Sequence, residues 1–146
     1  MEAWREKAHK MLPELDEVDD SDDAMGAWIH ISMAFDQAYE APRNEVLIQR
    51  IYGYADWCSE HGERTGRATT DLPTCIAVCF YENIPTREAS RQDMPRWFSR
   101  DDILLMKDTF SYHLNPDEFE RLLEMFPEPQ QSHKKNKKAC GKQRKN

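Results

Sequence analysis

Residues 71–86, DLPTCIAVCFYENIPT, decide how this chain folds. Thr74, Ile76 and Val78 alternate as in a strand, whereas Cys75 and Cys79 stand one helical turn apart. Thr70 or Asp71 is placed to cap a helix, Pro73 suits a first turn, and no hairpin partner follows. The stretch therefore predicts about three helical turns ending at Pro85.

The same period extends outward on both sides. Upstream, Leu47, Ile51, Tyr54, Ala55 and Cys58, widened by Ile48 and Tyr52, predict a long helix from about Arg43 to His61, with Gly62 as its stop. Residues 62–70, GERTGRATT, read as a loop. Earlier, Met25, Trp28, Ile29, Ser32, Phe35 and Tyr39 form the stripe of a helix that ends before Pro42. Ser21 is its expected cap, with Asp22 and Asp23 in the first turn facing the positive end of the helix dipole. A first helix carries Trp4, Ala8 and Met11 or Leu12, limited by Pro13.

Downstream, residues 85–98 read as irregular with one short turn. Ser99 to Asp102 has the S-x-x-D capping spacing and opens a helix with Ile103, Met106 and Phe110 on its face. Asn115-Pro116-Asp117-Glu118 opens a last helix whose face is Phe119, Leu122, Leu123 and Phe126. No run shows sustained alternation or Asn-Gly turns. The expected fold is all-α: one domain over residues 1–126, a compact array of five to six helices, followed by a disordered Lys-rich tail, 127–146.

That tail holds seven Lys or Arg against one Glu, so the net charge of −7 divides into +6 in the tail and −13 over the first 126 residues. A large nucleic-acid surface on so acidic a body is disfavoured, because phosphate binding rests on Lys and Arg. Nucleic acid is thus a candidate partner through the tail alone. The tail reads equally as a solubilising extension lying loosely on the acidic body. Apolar runs are only a few residues long, too short to cross a bilayer. The charged first residues, MEAWREKAHK, lack a signal-peptide core, and the cytoplasm is the expected location.

Few residues suggest chemistry. Cys75 and Cys79 have a zinc-compatible spacing, yet Cys58, His61 and Cys140 give no matched second pair, and reduced Cys packs as a small hydrophobe. No metal or cofactor is expected. The acidic run from Asp16 to Asp23 fails as a calcium loop, since Ala24 stands where the sharp-turn Gly belongs and His30 where the bidentate Glu belongs. No His pair, nucleophile elbow or phosphate-cradling Gly loop is present. Asp56 and Glu60, spaced i, i+4, are candidates for acid–base work or for a solvated helix face. Trp57, Trp97 and Phe98 are candidate anchors of a protein-binding surface, set against ordinary core packing.

The runs IYGYADWCSEH (51–61), DLPTCIAVCFYENIPT (71–86), MPRWFSRDD (94–102) and FSYHLNPDEFERLLEMF (110–126) occur in order. Over about residues 25–126 the chain resembles a group of small bacterial helical proteins of the DUF7674 type. That resemblance carries no catalytic residue onto this sequence. It implies HEAT-like helical pairing around Ala55 to Glu82 and a protein-binding role, with immunity to a cationic toxin as one form of it. The expected function is a non-catalytic protein-binding module acting through an acidic helical face. An enzyme with carboxylates in a helical cleft is the alternative, and a nucleic-acid accessory protein acting through the tail is a third.

Overall fold

The computed structural model describes residues 2–128, and among these there are nine α-helices and no strand. The all-α class expected from the sequence is the class observed. Of the expected tail, residues 129–146 lie outside the described residues.

Helix α1 (Ala3–Met11) turns Trp4 and Ala8 inward, and Leu12 after it is fully buried. A short α2 (Asp16–Asp19), not anticipated from the sequence, buries Val18. Ser21 belongs to this turn, since its hydroxyl donates to Glu17 O (2.8 Å). Asp23, rather than Ser21, caps α3 (Ala24–Ala38) by accepting from Gly26 N (2.8 Å).

Helix α3 also buries a different stripe from the expected one: Ala27, Trp28, Ile31, Phe35 and Ala38 face the core, while Ile29 faces out. Asn44 caps α4 (Glu45–His61) through Leu47 N (3.1 Å). Helix α4 buries all seven of the apolar residues its spacing picked out. Phe35 meets Tyr52 edge-on and Trp28 stacks on Tyr54, so the chain doubles back between α3 and α4. Each such large side chain removed from water contributes roughly 1.5–3 kcal/mol.

Gly62 ends α4 because the chain passes too close for a side chain: a Cβ there would lie 2.5 Å from Cys58 O and 2.7 Å from Leu72 Cβ. The loop beyond is tied down by Asp71, a buried carboxylate that accepts from Thr65 N (2.8 Å), Thr74 Oγ1 (2.6 Å) and Arg64 (3.2 Å). Hydrogen bonds from Thr74 and Thr65 hold its carboxyl below the usual range.

Asp71 also caps α5 (Leu72–Ile76), as expected. The helix then continues as a π-turn, Ala77–Tyr81, in which Glu82 N bonds Ala77 O (2.9 Å) five residues back. This wider turn buries Cys79, Phe80 and Tyr81: it packs on α3, Phe80 also meets Tyr52 of α4, and Tyr81 meets Phe98 and Phe110.

The stretch expected to be irregular is a sequence of short turns. A 3₁₀ turn (Ile84–Thr86), α6 (Glu88–Asp93) and a second 3₁₀ turn (Met94–Arg96) follow one another. The Ser99–Asp102 capping box forms as read and opens α7 (Arg100–Leu105). Met106 adopts φ −103°, ψ 29° and breaks that helix, leaving α8 (Lys107–Phe110) separate. Asn115 and Glu118 form the second capping box, at α9 (Pro116–Glu124). One buried cluster runs from Trp4 to Phe126. Against the expected five to six helices there are nine among the described residues, because α2 and α6 form where loop is expected and Met106 divides α7 from α8.

Candidate functional site

The five surface candidates do not converge. Trp97 stacks on Tyr52 (centroids 4.5 Å apart) and Phe98 packs edge-on against Phe110 (5.1 Å), so both rings are half-buried against the core. Trp57 leaves α4 five residues after Tyr52, about 140° around the helix, and lies elsewhere. Asp56 and Glu60 are exposed near the end of α4. Burial of part of Asp56, and then the like charges of Glu60 and Asp102, raise its carboxyl. Nothing in that arrangement encloses a substrate, because both carboxylates stand in the open.

A groove of about 450 Å³ runs between α3 and the π-turn. Ile29 and Met33, one turn apart on α3, are 49% and 54% exposed, and Val78 on the π-turn is 44% exposed. Phe35, Phe80 and Cys79 form its floor, and an ion pair between Arg87 and Asp36 (2.7 Å) closes one end. Burial raises the Asp36 carboxyl, against the pull of Arg87. Side chains donate to backbone carbonyls of the π-turn. Ser32 Oγ donates to Cys79 O, and Asn83 Nδ2 donates to Val78 O and Cys79 O (both 3.2 Å). The available sequence signal was that AMGAWIHISMAF is apolar nearly all round, which means two faces to cover instead of one.

A second concavity, about 400 Å³, opens where the starts of α1, α3 and α5 meet the end of α4. Trp4, Trp57 and Leu72 form its floor. Its rim carries Glu2, Asp22, Asp23 and Glu63, and no Lys or Arg lines it. Trp57 itself belongs to a column of near-parallel rings that starts in the core and ends at His61: Trp28 on Tyr54 (15°), Tyr54 on Trp57 (7°), Trp57 on His61 (14°).

The three cysteines among the described residues, Cys58, Cys75 and Cys79, are buried and unpaired. Burial pushes the Cys58 and Cys75 thiols up to about 12, and Cys79 in the same direction. Cys75 Sγ donates to Ala68 O (3.2 Å), which places it as a packed thiol fastening the loop. Among the described residues no group of three His, Cys, Asp or Glu is placed to hold a metal ion, and no helix is long and apolar enough to cross a membrane.

No family model, curated protein or solved structure matches this chain.

Proposed function

We propose that this chain is a non-catalytic protein-binding module whose docking surface is the groove between α3 and the π-turn. The observation that carries the reading is the alignment of Ile29, Met33 and Val78, three large apolar side chains exposed together beside a concave floor. Isolated exposed apolar residues are ordinary, but a contiguous set over a groove marks an interaction site. Met25 and Met33 in its walls supply the unbranched, adaptable side chains that such surfaces use. The −13 body favours a cationic partner through electrostatic steering, and an immunity-type pairing is one case of that chemistry. Catalysis by Asp56 and Glu60 has less support, since a perturbed acid–base pair needs a cleft and these two residues are exposed.

The test is affinity capture from nuclease-treated lysate of the source cells, comparing the full chain with an Ile29→Asp, Val78→Asp variant shown to be folded. The expected result is a stoichiometric protein held by the wild type and lost by the variant. Equal retention by both would move binding away from the groove. Recovery of nucleic acid alone, without nuclease, would overturn the reading in favour of the tail.

A further inference from the structure

We propose that the acid-rimmed concavity beside Trp57 receives one basic side chain, arginine or lysine, presented by a protein partner. Its floor and rim have the two chemistries that such a side chain combines. The apolar surface of Trp4, Trp57 and Leu72 suits a methylene stem, and the carboxylates at the mouth suit a guanidinium or ammonium head. Asp23 is partly committed, because its Oδ1 accepts from Gly26 N, and Glu2 lies 3.9 Å from Arg5. Asp22 and Glu63 have no ion-pair partner among the described residues. They come from the start of α3 and the loop after α4, so their like charges are brought together by the fold and not by sequence spacing.

The chain already shows that cations are favoured at these rings. Lys7 Nζ lies 5.8 Å from the Trp57 ring centre, and the Arg5 guanidinium lies 4.6 Å from that of Trp4. Both reach these rings from α1, and neither lines the concavity. A volume of about 400 Å³ accommodates one long side chain and excludes a helix or strand. The proposal does not depend on the apolar groove, which is lined by other residues.

The probe is N-acetyl-arginine methylamide, titrated into the full ¹⁵N-labelled chain while the indole N–H signals of its four tryptophans are followed. Trp57 and Trp4 should shift saturably in the millimolar range, while Trp28 in the core and Trp97 on Tyr52 stay in place. N-acetyl-citrulline methylamide, of nearly the same shape but uncharged, should leave all four unchanged. Asp22→Asn with Glu63→Gln should weaken the response by roughly fivefold, and added salt should weaken it in the wild type. Ile29→Asp should leave the titration as it is, which keeps this test separate from that of the groove. An equal response to citrulline, a common shift of all four indoles, or no shift at all would overturn the proposal.

Discussion

The Trp97 indole lies flat on the Tyr52 ring, with centroids 4.5 Å apart and planes inclined by 18°. Its Nε1 donates to Asp93 Oδ2 (3.1 Å), and that carboxylate also accepts from the Tyr39 hydroxyl (2.6 Å) and from Arg96 (2.6 and 2.8 Å). One ring stack and one carboxylate thus fasten the short turns of residues 84–98 to α3 and α4. Trp97→Ala removes the stack and one of the bonds, and it should cost about 3 kcal/mol in urea unfolding. A cost below about 1 kcal/mol would show that the segment is held by something else.

The partner ring offers the opposite experiment. The Tyr52 hydroxyl is buried and has no hydrogen-bond partner among the described residues, and burial raises it far above an ordinary phenol. Tyr52→Phe keeps the ring on Trp97 and removes the unpaired polar atom. The variant should be more stable than wild type by up to about 1 kcal/mol, because burying an unsatisfied group is itself costly. A loss of stability instead would reveal a hydrogen bond at that hydroxyl.

Asp93 makes stability depend on acid. Burial opposes its charge, but the bonds from Arg96, Tyr39 and Trp97 outweigh burial and lower the carboxyl to about 2. A folded value below the unfolded one gives stability that is present near neutral pH and lost as pH falls through the folded value. The contribution is about 2 kcal/mol, and it should disappear between about pH 4 and pH 2. Unfolding of Asp93→Asn and of wild type, compared across that window, should converge as pH falls. A constant difference would mean that the carboxylate acts by shape and not by charge.

The thiols give a chemical test of the core. In a Cys140→Ser background, Cys58, Cys75 and Cys79 should all react slowly with a thiol reagent at neutral pH, because burial favours the protonated form and blocks access. All three should react at once in guanidinium. Fast labelling of any of them in the native protein would place it at the surface, with Cys79 on the groove floor the nearest to it.

Local chemistry was legible in the sequence, and tertiary choice was not. Asn115 and Ser99 announce their helices through a four-residue code, and Asp71-Leu-Pro announces α5, because a cap is decided within one turn. The face of α3 was misread because Ile29, Ile31 and Met33 are all apolar, so the period carries no contrast between inside and outside. Ser21 is as good a cap by type as Asp23; only the presence of α2 diverts it to Glu17. Trp97 and Phe98 were visible as large aromatics, but their commitment to Tyr52 and Phe110 depends on residues far off in sequence. The acid-rimmed concavity has no sequence signature, since its carboxylates come from positions 2, 22, 23 and 63.

The π-turn makes the length of the chain between Ala77 and Tyr81 matter more than the identity of its exposed residues. Removing one residue there would restore ordinary helical spacing and leave the residues beyond it near their present orientation, because the five residues of a π-turn cover about the rotation of four α-helical ones. Phe80 and Tyr81 would keep their places in the core, while the bulge that carries Val78 into the groove would be lost. Ala77, half-buried, should tolerate exchange, while its deletion should reshape the groove and leave the core packed. In a comparison of related chains, a one-residue gap at this turn is therefore the mark of a protein with a different surface, however similar the rest of the sequence.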